Sequence, residues 1–288
     1  MNTDYCLRGT AKSEKVRFFI ACSKDLVEEA RNRHNLSTLA TAALGRTLTA
    51  TAMMGMTLKG NDTLTIAFKG DGVLGKVIAK GNSEGEVKGY VDNPEVALPL
   101  KDNGKIDVSN GIGYGTLFIT KDMGLKEPYV GSVPIVSGEV GEDITEYYYS
   151  SEQTLSAVGL GVLIDIDYTV KSAGGFIIQL MPGAEEEIGI ELDEKVQALP
   201  PLSNYLVDNK PEDLLEYFFG DDKKILDKKS IKFDCKCSRE NFKDALITLG
   251  RDELEKLAQD QEIEVVCQFC NEKYVYKNDE LLELIKLI

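Results

Sequence analysis

Four of the chain's six cysteines stand in its last fifth, as Cys235-Lys-Cys237 and Cys267-Gln-Phe-Cys270. Two close thiol pairs on separate stretches of chain can converge on one tetrahedral ion, and C-x₂-C is a recurrent arm of zinc sites. Four thiolates leave no open coordination position, so the ion would serve structure or switching rather than activate water. The C-x-C arm adds a second chemistry. Cysteines at i and i+2 close an unusually small disulfide ring, far from relaxed geometry and easily reduced again. The same sulfurs can therefore hold zinc when reduced and form two local disulfides when oxidised. Zinc-bound thiolates react with peroxide or hypochlorite, and oxidation removes the ligands. A small domain then loses on the order of 10 kcal/mol of metal-derived folding energy and is expected to unfold.

The 288 residues suffice for a large hydrophobic core, and 43% are hydrophobic. The net charge of -15 and pI of about 4.7 argue against nucleic acid and against anionic membranes as partners. The start, Met1 to Cys6, lacks the basic and apolar regions of a signal peptide, and no apolar run is long enough to span a membrane. Six thiols without such a signal point to a reducing cytoplasm. A single histidine, His34, removes most hydrolase triads and histidine-based metal sites.

Residues 1–183 read as one domain of mixed strands and helices, giving an α+β (mixed α/β) class. Strands are expected at Val16 to Cys22, Thr63 to Phe68, Val73 to Ala79, Glu86 to Val91, Gly115 to Thr120, Ala157 to Val170 and Phe176 to Leu180. Helices are expected at Lys24 to His34, capped by Ser23, at Thr38 to Leu58, and at Glu139 to Ser151. The second is rich in Ala, Gly and Thr, so a sheet or helix can approach it closely.

Residues 184–230 differ in character. From 185 to 230 there are 13 acidic and 6 basic residues, nearly half of the chain's net charge. Apolar positions still recur at helical spacing: Ile188, Leu192, Val196 and Leu199, then Leu214, Leu215, Phe218 and Phe219. This reads as a helical linker whose apolar faces need a partner surface and whose charge repels itself, hence marginally stable alone. Residues 231–288 form the cysteine domain, too small to rely on its core without a staple. Its elements are expected as a strand at Ile231 to Phe233, a helix capped by Ser238 through Thr248, strands at Glu262 to Val266 and Tyr274 to Tyr276, and a helix capped by Asn278 with Leu281, Leu282 and Ile285 inward.

Other features carry ordinary readings. Cys22 falls on an apolar strand and is expected to be a small buried hydrophobe. His34 ends a basic tail that suits a helix C-terminus. Gly70-Asp-Gly72 is a hairpin turn without the lysine of a phosphate loop, and Gly159-Leu-Gly161 enters a strand, which excludes a dinucleotide fingerprint. Tyr147, Tyr148 and Tyr149 read as core and helix surface. No pair of carboxylates stands out as catalytic, and no enzymatic activity is expected.

The chain resembles, over its whole length, the redox-regulated thirty-three-kilodalton heat-shock chaperones (33 kDa chaperonin, HslO), a family of bacterial holdases. The resemblance rests on Phe233-Asp-Cys-Lys-Cys-Ser-Arg-Glu240, Val266-Cys-Gln-Phe-Cys-Asn271, Tyr148-Tyr-Ser-Ser-Glu-Gln153, Gly174-Gly-Phe-Ile-Ile-Gln-Leu-Met-Pro-Gly183, Ala43-Leu-Gly-Arg46 and Lys88-Gly-Tyr-Val91. It implies an N-terminal domain for client binding and dimerisation, a metastable linker and a zinc domain. It implies that Cys235, Cys237, Cys267 and Cys270 are both the ligands of one zinc ion and the redox sensors, pairing as 235–237 and 267–270. The reduced zinc form would be inactive. Oxidation would release zinc, unfold the zinc domain and linker, and produce a dimer that holds unfolding proteins without ATP and can hand them to ATP-dependent chaperones. Cys6 and Cys22 lie outside this pattern.

Two other classes compete. A constitutive zinc-domain adaptor would keep its zinc under oxidant and dock one fixed partner. A thiol-disulfide oxidoreductase would normally carry one C-x₂-C in a thioredoxin-like β-α pattern and would turn over a disulfide substrate.

Overall fold

The computed structural model describes residues 3–288. The chain is a mixed α+β protein that divides into two compact units, one ending at Asp234 and the other running Cys235–Ile288.

The first unit runs β1 (Tyr5–Ala11), β2 (Val16–Cys22), α1 (Lys24–His34), α2 (Thr38–Gly55), β3 (Thr63–Gly70), β4 (Lys76–Asn82) and β5 (Glu86–Val91). It continues through α3 (Val108–Ile112), β6 (Gly115–Asp122), β7 (Tyr129–Pro134), α4 (Gly141–Ser150), β8 (Ser156–Ile164) and β9 (Val170–Leu180). It ends with α5 (Glu186–Ala198), α6 (Leu202–Asp208), α7 (Pro211–Phe219), β10 (Lys223–Ser230) and β11 (Lys232–Phe233). Five strands pair in the order β10-β1-β2-β9-β8, and six in the order β11-β5-β4-β3-β6-β7. All of these pairs are antiparallel except β11 with β5.

Helix α2 packs against strands of both sheets and is buried around nearly its whole circumference. Its small side chains permit this. A Cβ added at Gly55 would lie 2.9 Å from the backbone carbonyl of Asn82, so helix and sheet meet there almost backbone to backbone. The buried threonines satisfy themselves within the helix: Thr47, Thr49 and Thr51 donate to the carbonyls of Ala43, Gly45 and Thr47 at 2.9, 2.8 and 2.7 Å.

The acidic stretch does not stand apart. Leu192 of α5, Leu206 of α6 and Leu214, Leu215, Phe218 and Phe219 of α7 share a buried cluster with Leu7, Phe18, Ile20, Phe176 and Ile178 of the five-stranded sheet. Ile188, Val196 and Leu199 pack at its margin. Gly161 lets α6 come close, since a Cβ there would meet Ser203 N at 2.6 Å. The end of the stretch is not helical. Lys223–Ser230 is strand β10, paired along all of β1, because the neighbouring strand supplies the hydrogen bonds that this charged segment's own pattern does not call for.

Smaller differences have local causes. Ser23 precedes α1 but does not cap it; its hydroxyl hydrogen-bonds Thr49 at 2.6 Å, and Asp4 accepts from Leu26 N at 2.7 Å instead. Residues expected as one strand from 157 to 170 break at a turn, where Tyr168 has φ 67 and Asp165 N donates to Thr169 O. Strand β4 starts at Lys76, because Gly72 N and Leu74 N donate to the carbonyls of Ile112 and Gly111 rather than to a strand.

The second unit contains α8 (Arg239–Ile247), α9 (Arg251–Leu257), β12 (Glu262–Val266), β13 (Lys273–Lys277) and α10 (Asn278–Ile285). Its core is small: Leu246, Leu254, Ala258, Tyr276, Leu281, Leu284 and Ile285 are buried. Helix α9 has too short an apolar pattern to be read from sequence. Asn278 donates to Ala258 O instead of capping α10, and Glu280 accepts from Lys277 N at 3.0 Å in its place. Leu282 points outward while Leu284 takes the inner position, as helical spacing from Leu281 requires.

Candidate metal centre

The four cysteines arrive on two kinds of backbone. Strands β12 and β13 pair from Glu262↔Lys277 to Val266↔Lys273, and the connection between them is a tight turn. Cys267 N donates to Glu272 O at 2.8 Å and Asn271 N to Cys267 O at 2.7 Å. Asn271 takes φ 60, a left-handed conformation that asparagine tolerates. This turn presents Cys267 and Cys270 side by side. Cys235 and Cys237 lie in irregular chain just before α8, whose first turn is fixed by Ser238 Oγ accepting from Asn241 N at 3.1 Å.

The four sulfurs converge. All lie within 4.8 Å of one another, with Cys235 Sγ to Cys267 Sγ 3.8 Å and Cys237 Sγ to Cys270 Sγ 3.3 Å. None of the four is joined in a disulfide. Sulfurs at the zinc–sulfur distance of about 2.3 Å on a tetrahedral ion are about 3.8 Å apart. The spacing therefore fits such an ion, and an all-sulfur donor set favours a soft or borderline one. With every corner taken by protein, the centre has no position for an activated water.

The sulfurs differ in surroundings. Burial pushes the Cys270 thiol up well beyond the ordinary range, and it also raises Cys267. At Cys237 burial acts in the same sense, but hydrogen bonds from the Tyr274 hydroxyl and the neighbouring thiols outweigh it and lower the pKa. Tyr274, whose Oη is 3.3 Å from Cys237 Sγ, was not evident from the cysteine spacing. Its signal was its place at the start of the strand that returns from the second cysteine pair.

The remaining features singled out in the sequence lie elsewhere, in the first unit. Cys6 and Cys22 are on neighbouring strands in registers Cys6↔Ala21 and Tyr5↔Cys22, so their side chains leave opposite faces of the sheet. Cys6 is the fully buried one, whereas Cys22, expected to be buried, is only half-buried, with its thiol directed at the carbonyls of Thr3 and Tyr5. Burial raises both, Cys22 to about 11, which leaves neither as a reactive thiolate. His34 closes α1 beside Arg31 and Arg33. Tyr147 and Tyr148 are buried and Tyr149 is exposed.

A family model described as "Hsp33 protein" matches residues 4–277. A 33 kDa chaperonin of Oceanobacillus iheyensis is 46% identical over 285 residues, covering 98% of this chain and 99% of the relative. That of Clostridioides difficile is 49% identical over 288 residues, covering 98% and 99%. Among solved structures, the 33 kDa chaperonin (heat shock protein 33 homolog) of Thermotoga maritima superposes with a TM-score of 0.94 at 42% identity, covering 98% of both chains.

Proposed function

The chain belongs to the Hsp33 family, and on that premise we propose that it is a redox-regulated, ATP-independent holdase that binds unfolding proteins and keeps them from aggregating. The observation that carries the reading is the convergence of four cysteine sulfurs, none in a disulfide, from two arms in a unit with few core residues. Cys235, Cys237, Cys267 and Cys270 would hold one zinc ion. When bound, that ion keeps the four sulfurs deprotonated and ties the two arms together. The side chains do the rest: the turn at 267–272 orients one pair, and the capped start of α8 orients the other.

Oxidation is proposed to form Cys235–Cys237 and Cys267–Cys270 disulfides, release the ion and unfold the second unit. The supporting feature in the first unit is the packing of α5, α6 and α7 on an apolar sheet face. Each buried Leu or Phe there contributes roughly 1.5–3 kcal/mol. Ordering each backbone residue costs about 1–2 kcal/mol, so a stretch with many exposed positions docks only marginally. Its release would uncover Phe18, Phe176 and Ile178 together with its own Leu214 and Phe218, a surface for clients and for a second protomer. The reading includes a cytoplasmic location; among the described residues no helix is long and apolar enough to cross a membrane.

The test follows aggregation of a heat-unfolded client, without ATP, while zinc release is recorded. Oxidised protein should suppress aggregation and reduced zinc-loaded protein should not. Hydrogen exchange on the same samples should show protection lost in 231–288 and weakened in 184–230, with the strands before residue 183 still protected. Suppression by the reduced zinc form, or zinc loss with unchanged exchange in 184–230, would reject the mechanism.

A further inference from the structure

The contact of Tyr274 with Cys237 sets this sulfur apart from those of the second pair. Cys267 is met by the backbone N–H groups of Phe269 and Cys270, and Cys270 by that of Glu272, all within one turn. Cys237 is met by a side-chain hydroxyl from another element, at 3.3 Å. The tyrosine is held for the purpose. It stands opposite Val265 in the β12–β13 hairpin, and its ring lies against Phe242 of α8 at a centroid separation of 5.1 Å. The hydroxyl is thus fixed by a strand on one side and a helix on the other.

We propose that Tyr274 is a positioning residue for the thiol cluster, whose hydroxyl donates to Cys237 Sγ, fixes that sulfur in the tetrahedron and slows its attack on oxidants. The direction of the bond follows from the chemistry. A metal-bound sulfur is a thiolate with no proton to give, so the hydroxyl is the donor.

The Cys237 thiolate attacks a peroxide oxygen, an S–O bond forms, the O–O bond breaks and hydroxide leaves, giving a sulfenic acid. The Cys235 thiolate then attacks that sulfur, an S–S bond forms and a second hydroxide leaves. Sulfur is oxidised and peroxide is reduced. A hydrogen bond that occupies a thiolate lone pair withdraws the electrons needed for the first attack. A bond to a charged group that stabilises the thiolate about tenfold changes its attack rate by only about threefold, because nucleophilicity follows basicity with a coefficient near 0.4–0.5.

The inference rests on the zinc reading, so the zinc content of the unaltered full-length protein is measured first and judges that reading separately. Tyr274→Phe is then compared with the unaltered zinc-loaded protein. Iodoacetamide labelling, resolved residue by residue by mass spectrometry, should show Cys237 reacting about threefold faster relative to Cys270. Zinc transfer to a chromogenic chelator under dilute peroxide should accelerate in step. Phe242→Leu, which keeps the hydroxyl but loosens the ring, should give a smaller change at the same cysteine, and its labelling ratio decides the matter if Tyr274→Phe does not retain zinc. An unchanged ratio, or an equal rise at all four cysteines, would overturn the proposal, because a merely structural tyrosine would loosen every ligand alike.

Discussion

Phe18 of β2 and Phe219 of α7 stack with ring centroids 5.5 Å apart and planes inclined by 27°. The pair joins the core sheet to the acidic stretch that follows it. Phe218, one residue earlier, meets Phe176 edge-on at 5.0 Å. The aromatic contacts make α7 the anchor of the three helices, while Lys195 Nζ donating to Phe218 O at 2.7 Å ties α5 to the same point.

Phe218→Ala should therefore loosen the helical stretch without unfolding the sheets. Removal of a fully buried Phe costs about 3–5 kcal/mol. The expected outcome is fast hydrogen exchange across 186–219 in the reduced protein, and client binding without oxidant. Exchange in that region equal to the unaltered protein would show that the docking does not depend on this anchor.

Cys267→Ser should leave the second unit largely unfolded even under reducing conditions. Three thiolates cannot close the tetrahedron, and structural zinc sites supply roughly 10–16 kcal/mol of folding energy. Metal analysis should find one zinc per unaltered chain and little in the variant, and circular dichroism should show the loss of α8–α10. A variant that stays folded without metal would mean that the core around Leu254, Tyr276 and Leu281 suffices.

Peptide mapping after mild peroxide treatment should find Cys235–Cys237 and Cys267–Cys270 as the main links. The second pair should form first or persist longer, because the i,i+2 ring departs further from relaxed geometry. A dominant Cys237–Cys267 link would staple the two arms together and contradict unfolding of the unit.

Asp4 should make the first unit pH-sensitive. Burial, with the charge of Asp25 adding to it, raises its pKa from 3.8 to about 7 against the opposing bonds from backbone N–H groups at the start of α1. The folded state thus holds this proton more tightly than the unfolded state. The stabilisation is fully present below pH 3.8, declines as pH rises, and is gone above about 7. Thermal unfolding of the unaltered protein and of Asp4→Asn should differ in slope across that window, with the variant flatter. Parallel curves would assign the pH dependence to other groups.

The convergence of the four cysteines was the part most legible from sequence, because thiol chemistry is local: two short motifs name their atoms wherever the chain brings them. Strand β2, helix α1, and strands β5 and β12 were legible for a similar reason, since each carries its pattern within its own residues. Three things were decided only by the tertiary structure. Lys223–Ser230 became a strand because β1 offered a complete edge. Asp4 replaced Ser23 as the cap of α1 because the neighbouring Thr49 claimed the serine hydroxyl. Tyr274 reached Cys237 because a hairpin and α8 meet there. Each outcome depends on a partner distant in sequence, and local preferences carry no information about where that partner will stand.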